Sequence, residues 1–187
     1  MARCLLRLAL GCWMVSAGAA AFAETTGPVI PDIEVIDQNG DTHRLYSDLI
    51  KGKTVAITFF YTSCKTSCPA MTGLFGAVQQ KLQAESHRSA NLLSISLDPV
   101  TDRPAQLKAV AQRFGAAPGW YFLTGAYPDL ARVLSALNAA GPQLFDHPSM
   151  ILIGNDATGQ WTRHYGLASV PMVMELLDSV TGPMATR

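Results

Sequence analysis

The sequence is poor in the features that mark membrane-spanning and nucleic-acid-binding chains. Charged residues make up only 15% of its 187 residues, and 14 basic and 14 acidic side chains leave a formal net charge of zero. There is no basic stripe and no block of like charges, so nothing indicates nucleic acid or an anionic membrane surface as a partner. No internal repeat and no motif for a nucleotide, phosphate or glycan is present. The apolar run at residues 8–20 is shorter than the roughly 20 residues that a transmembrane helix needs.

The first 23 residues instead have the pattern of a secretory signal. Arg3 and Arg7 precede the apolar run, which closes on the small-x-small sequence Ala21-Phe22-Ala23. We expect cleavage after Ala23 and a periplasmic location. An uncleaved N-terminal anchor is the alternative, and it would keep the protein close to a membrane. Cleavage leaves 187 − 23 = 164 residues and a formal charge of 12 − 14 = −2. We expect a flexible lead-in at 24–31 and one domain at 32–187.

Cysteine is scarce in the expected mature chain, because two of the four cysteines leave with the signal. Cys64 and Cys68 remain, and in an oxidising compartment they would form a disulfide unless something keeps them reduced or metal-bound. A structural disulfide is one interpretation, but so short a loop contributes little loop-closure entropy. A domain of this size also has a core of its own. The pair is therefore better suited to holding a soft metal ion or to exchanging a disulfide.

The hydrophobic pattern alternates strands with helices. Residues 54–61 are apolar, β-branched and aromatic, which is typical of a central strand covered on both faces, and Pro69 suits the first turn of a following helix. The pattern also predicts strands at 91–97, 120–123, 149–154 and 161–166 and helices at 104–114, 128–139 and 170–180. Asn39-Gly40 predicts an N-terminal β-hairpin. This order indicates an α/β, thioredoxin-like fold with a central mixed, mostly parallel sheet flanked by helices.

The cysteines follow the buried strand and precede the helix. Ligands of open α/β sheets gather beyond the carboxyl ends of the strands. A helix N-terminus favours thiolate over thiol, and Lys65 adds a nearby cation with the same effect. Cys64 and Cys68 are therefore predicted to be reactive. Cys64 lies on the loop and is expected to be the more exposed of the two.

His147 is the candidate third ligand. It stands just before the strand predicted at 149–154, and in a thioredoxin-like sheet the loop that enters this strand comes close to the cysteine helix. Pro148 occupies a place where that fold often carries a cis-proline. Two thiolates and one imidazole form a soft site that could hold copper in both of its redox states, whereas a closed zinc site usually takes a fourth protein ligand. By sequence position alone, His147 would be an ordinary loop histidine bonded to Asp146 or to backbone.

Other histidines and methionines are interpreted as structural. His43, His87 and His164 lack partners in the sequence, so we expect surface or capping roles. Met71 and Met150 stand near the candidate ligands, but methionine at helical or strand spacing usually packs in the core.

Three segments in order resemble the Sco/SenC family, over about residues 31–180. They are residues 61–69 (YTSCKTSCP), residues 96–104 (SLDPVTDRP) and Asp146-His147 before a strand. The resemblance implies a thioredoxin-like fold and copper binding by Cys64, Cys68 and His147. It also implies a role in building the dinuclear CuA centre of cytochrome c oxidase, with the CuA-carrying subunit and a copper donor protein or thiol–disulfide reductant as partners. Asp98 matches an acidic residue near the family's site, and a strand-end cap is its alternative role.

The sequence departs from the family's common pattern at Lys65, where proline is common, and at Arg103, where threonine is common. Both departures leave the implied ligands in place. They leave open the balance between a copper chaperone and a thiol–disulfide oxidoreductase that acts through the cysteine pair without obligatory copper.

A peroxidase of the peroxiredoxin type is excluded. It would need proline and then threonine or serine at set positions before the attacking cysteine, and Ile57 and Tyr61 precede Cys64 there. Tyr61 and Lys65 stand at the same offsets before Cys68.

Overall fold

The computed structural model describes residues 27–85, 89–140 and 149–182. The predicted signal sequence and its cleavage site, His87, and the segment Asp146-His147-Pro148 lie outside these residues. In chain order the elements are β1 (Glu34–Ile36), β2 (Thr42–Arg44), α1 (Leu45–Leu49), β3 (Thr54–Phe60), α2 (Cys68–Ala84), β4 (Asn91–Ser96), α3 (Pro104–Arg113), β5 (Trp120–Gly125), α4 (Tyr127–Ala136), β6 (Met150–Asn155), β7 (Gln160–Tyr165) and α5 (Val170–Thr181).

Within the described residues the strands form one seven-stranded sheet in the order β2-β1-β5-β4-β3-β6-β7. β3 pairs in parallel with β4, and β4 with β5. The other neighbouring pairs are antiparallel. The predicted fold class is confirmed, but parallel pairing is confined to the three central strands. A hairpin reverses the chain, so β1 with β2, and β6 with β7, form antiparallel pairs at the two edges of the sheet.

The strand β3 is buried along its whole length and separates two hydrophobic layers. Val55, Ile57 and Phe59 pack on the face covered by α1 and α4. Ala56 and Phe60 point to the opposite face, which α2, α3 and α5 cover. This alternation follows from the two-residue period of a strand. Because both faces of β3 are buried, its sequence is continuously apolar.

The long helices begin close to prolines. Pro69, Pro104, Pro128 and Pro171 each occupy one of the first two positions of a helix, where the missing N–H would have no helical partner. In α5 the Ser169 side chain also accepts a hydrogen bond from the Met172 N–H, at 3.4 Å. These prolines place helix N-termini just after strands β3, β4 and β5. All three therefore face the same edge of the sheet.

Short polar contacts shape the N-terminal hairpin. Asp37 Oδ1 accepts the backbone N–H groups of Asn39 and Asp41, and Gly40 adopts a φ of +90° that a side chain would disfavour. Asp32 caps the short helix α1 in a similar way. Its carboxylate accepts the Ser47 hydroxyl, the Ser47 N–H and the Tyr46 N–H, and these bonds lower its pKa from 3.8 to about 2.

Candidate functional site

The candidate site begins where β3 ends and α2 starts. Residues 61–67 connect the two elements, and the N–H of Cys64 donates to the carbonyl of Tyr61 at 3.1 Å, which closes a turn. Cys68 is the first residue of α2. The predicted position of both cysteines between a buried strand and a helix therefore agrees with the structure.

Cys64 and Cys68 are joined by a disulfide, with their Cα atoms 5.9 Å apart. That separation lies within the range usual for disulfides. Cys68 is 7% exposed and belongs to the core beneath α2, whereas Cys64 is half-buried at the edge of the same cluster. A reagent or partner approaching from solvent would therefore meet Cys64 first.

The N-terminus of α2 has no side-chain cap. Ser67 stands at the N-cap but makes no side-chain hydrogen bond there, and the first turn contains no acidic residue. The partial positive charge of the helix end is therefore not neutralised by a neighbouring carboxylate of that turn. Lys65 is exposed beside it. After reduction, both features would favour the thiolate forms of the cysteines.

Asp102 is a residue of this site that sequence reasoning did not single out. Its carboxylate is fully buried and accepts hydrogen bonds from the Thr62 N–H, at 3.0 Å, and from the Thr62 hydroxyl. It also accepts the Ser96 hydroxyl at 2.5 Å. It thus ties the cysteine loop to the end of β4. In the sequence, Asp102 is one residue of segment 96–104, which resembles the family. No local sequence pattern indicates that an acidic side chain will be buried.

Asp98 has the contacts of a turn residue. Its Oδ1 accepts the Thr101 N–H at 3.1 Å, and its carbonyl accepts the Asp102 N–H at 2.7 Å. This agrees with the strand-end cap that was the alternative role for Asp98. In the described ranges, no three histidine, cysteine or acidic side chains form a group that could hold a metal ion.

His147 lies outside the described residues, but the strand that follows it does not. β6 starts at Met150 and runs antiparallel to β3, with Ile151 opposite Thr58. The Thr58 hydroxyl donates to the Met150 carbonyl at 3.2 Å, and Ser149 accepts the Gly166 N–H at 2.7 Å. The start of β6 therefore lies at the carboxyl end of β3, the end from which the cysteine loop leaves.

The structure also places the remaining histidines and methionines that it describes. Met71 and Met150 are both buried in the core, as expected. His43 lies on β2 with its Nε2 3.2 Å from Asp37 Oδ2, and its ring packs in a T-shaped arrangement with the Tyr121 ring. His164 lies on β7 opposite Ile151.

The edge that carries the cysteines also carries exposed apolar side chains. They lie in the loop after β4, at the start of α4, and between the end of β7 and the first turn of α5: Val100, Tyr127, Tyr165, Leu167 and Met172. Among the described residues, Val29 is the one other large hydrophobic side chain that is exposed. Exposed apolar side chains along the edge that carries a reactive pair are a feature of sites that contact another protein.

Comparison with known proteins supports this description. A family model described as SCO1/SenC matches residues 23–175. A SCO1 protein homolog of Bacillus subtilis is 37% identical over 89 residues, which cover 47% of this chain and 46% of that protein. The chain thus spans about half the length of that relative.

Two solved structures are also similar. One is BsSco, a member of the Sco family of cytochrome c oxidase assembly proteins in which a disulfide switch was identified. It is 26% identical with a TM-score of 0.66, and the match covers 82% of this chain and 95% of that one. The other is ScoI of Bradyrhizobium japonicum with copper bound, 24% identical with a TM-score of 0.63, covering 82% and 98%. The second similarity bears on the fold alone.

Proposed function

The chain belongs to the SCO1/SenC family, and from that premise we propose that it is a copper metallochaperone. In this proposal Cys64, Cys68 and His147 hold one copper ion and deliver it to the CuA centre of cytochrome c oxidase. The observation that carries it is the placement of the cysteine pair at an uncapped helix N-terminus, beside the start of β6. Family membership and the soft donor set of two thiolates and one imidazole support copper as the metal.

Chain geometry bounds the position of His147. Consecutive Cα atoms are about 3.8 Å apart, so the Cα of His147 lies within about 7.6 Å of that of Ser149. Ser149 precedes β6 at the carboxyl end of β3, the edge where the cysteine loop begins. A histidine side chain adds further reach. In the proposal the His147 imidazole joins the two thiolates around one ion from this edge.

The disulfide must be reduced before the site can take its cargo. Two electrons and two protons convert the Cys64–Cys68 bond into two thiols, and a thiol–disulfide reductant supplies them. The thiols lose their protons when copper binds, because the thiolate is the ligand. A site with two sulfurs and one nitrogen suits Cu(I) and tolerates Cu(II) through the imidazole. Three ligands leave room for an incoming thiolate, so the cargo can pass to a partner one bond at a time.

The same pair could also reduce the target cysteines before they receive copper. The Cys64 thiolate would attack the target disulfide and release one target thiolate. Cys68 would then attack the Cys64 sulfur, which releases the second target thiolate and restores the bond observed here. The greater exposure of Cys64 favours it as the attacker. A thiol–disulfide oxidoreductase without obligatory copper is the alternative function, and it would not need His147.

The partners and location follow from the same proposal. The CuA-carrying subunit of the oxidase would contact the apolar edge around the disulfide, and a copper donor protein or thiol–disulfide reductant would use the same edge. Within the described residues no helix is long and apolar enough to cross a membrane. Residues 1–23 would direct export to the periplasm, either as a cleaved signal or as an anchor.

The deciding experiment is an anaerobic copper titration of the reduced domain, read by X-ray absorption. We expect one copper per chain with two sulfur ligands and one nitrogen ligand. His147→Ala should weaken binding by at least about 100-fold, because loss of a mere hydrogen-bonding partner of a ligand already costs about 10–100-fold. His43→Gln is the matched control, since His43 lies on the far edge strand β2. Full affinity in His147→Ala would remove that residue from the site and favour the oxidoreductase.

A further inference from the structure

The proposed function gives no role to the buried carboxylate of Asp102. It is fully buried, and its hydrogen-bond donors are neutral groups: the Thr62 N–H, the Thr62 hydroxyl and the Ser96 hydroxyl. Within the part of the chain that the structure describes, no cation pairs with it. A buried carboxylate is costly unless hydrogen bonds compensate it. The two oxygens of Asp102 accept all of these donors at once, which an asparagine could not do, because its amide has one acceptor oxygen and an NH2 group in place of the other.

What the carboxylate holds is the first half of the cysteine loop. Thr62 lies between Tyr61 and Cys64, and the turn from the Tyr61 carbonyl to the Cys64 N–H encloses it. Both Thr62 donors reach Asp102, which is 40 residues away in sequence. Cys68 is held separately, by the first turn of α2 and by core packing. The approach of the two sulfurs thus depends on two anchors, α2 for Cys68 and Asp102 for Cys64.

We propose that Asp102 is a positioning residue that presents Cys64 to Cys68 and thereby sets the reduction potential of the pair. With the loop held, the two thiols meet at a high effective concentration, which favours the disulfide over the dithiol. Releasing the loop lowers that concentration and makes the disulfide easier to reduce. The proposal deepens the proposed function and rests on it for the role of the cysteine pair as a copper site. The redox equilibrium of the pair can itself be measured without metal.

The test is the redox equilibrium of the domain with glutathione, measured without copper. Free thiols are alkylated, and the masses of the products are measured by mass spectrometry. In this reaction two glutathione molecules become one glutathione disulfide, and the Cys64–Cys68 bond becomes two thiols. We expect Asp102→Asn to shift the equilibrium constant towards the dithiol on the order of tenfold, which corresponds to about 30 mV for a two-electron couple. Thr62→Val should shift it in the same direction, and Thr62→Ser, which keeps the hydroxyl, should restore the wild-type value.

Strand β4 supplies a matched pair of variants. Ser96→Ala removes the hydroxyl that donates to Asp102, whereas Ser94→Ala removes a hydroxyl two residues earlier that accepts the Trp120 indole N–H at 3.0 Å. Both serines are buried, so both variants should lower the melting temperature. Only Ser96→Ala should also shift the redox equilibrium, by about threefold.

Equal shifts in Ser96→Ala and Ser94→Ala, or none in Asp102→Asn and Thr62→Val, would overturn the proposal and reduce Asp102 to a structural tie. If Asp102→Asn does not fold, the Thr62 and Ser96 variants still decide the question. A domain that fails to bind copper but shows these redox shifts would refute the proposed function and leave the role of Asp102 intact.

Discussion

Thr58 provides the sharpest test of how the fold would assemble a three-ligand site. It lies buried on β3, and its hydroxyl donates to the carbonyl of Met150, the first residue of β6. His147 stands three residues before Met150 in the sequence. If His147 is the third ligand, this bond helps to fix the imidazole relative to the cysteines, because it attaches the start of β6 to the strand from which the cysteine loop leaves.

Thr58→Val keeps the shape of the side chain and removes the hydroxyl. Loss of one buried hydrogen bond costs about 1 kcal/mol in the free energy of unfolding. For a domain of this size the melting temperature should fall by roughly 2–4 °C. If the whole loss appeared as poorer positioning of His147, copper affinity would fall at most about fivefold, since about 1.4 kcal/mol corresponds to a factor of ten. We therefore expect a decrease of about two- to fivefold.

The control is Thr54→Val at the other end of the same strand pair. The Thr54 hydroxyl accepts the Asn155 side-chain amide at 3.0 Å, far from the cysteine loop. Denaturant unfolding should show a similar or smaller loss of stability in this variant, and anaerobic copper titration should show unchanged affinity. Equal copper affinities in Thr58→Val and Thr54→Val would refute the reasoning, because the start of β6 would then have no influence on the metal ligands.

Two further predictions concern local chemistry. Asp32 has its pKa lowered to about 2 by its bonds to Ser47 and Tyr46, so the stability that it contributes is present above about pH 3.8 and is lost as the pH falls towards 2. Asp32→Asn should therefore lower the melting temperature at pH 6 and have little effect at pH 2, and equal effects at both pH values would contradict this account. In the reduced domain, a bulky alkylating reagent should modify Cys64 faster than Cys68, because Cys68 is 7% exposed and Cys64 is half-buried. Mass spectrometry of peptides from a time course would measure both rates, and faster modification of Cys68 would show that the observed burial does not control access.

Much of the fold could be predicted because its signals are local. Each predicted strand and helix has a counterpart in the structure within a few residues, from the hairpin at Asn39-Gly40 to α5. The exception is strand direction. The pattern suggested a mostly parallel sheet, but direction depends on which strands become neighbours, and β6 enters beside β3 in the reverse sense. The residues of β6 do not by themselves indicate the direction in which the strand runs.

Some features of the candidate site could likewise be predicted from local sequence signals, and others could not. The sequence was enough to place Cys64 and Cys68 after a buried strand and at the start of a helix, because hydrophobic periodicity and a proline are local properties. It also carried the three segments that identify the family. The burial of Asp102 against Thr62 and Ser96, and the exposure of apolar side chains at the cysteine edge, became known only from the fold. The local turn that Asp98 caps is the alternative role that ordinary turn chemistry had already offered for it. Asp102 meets Thr62 across 40 residues of chain, and burial and exposure depend on how the whole chain packs, so no local pattern contains them.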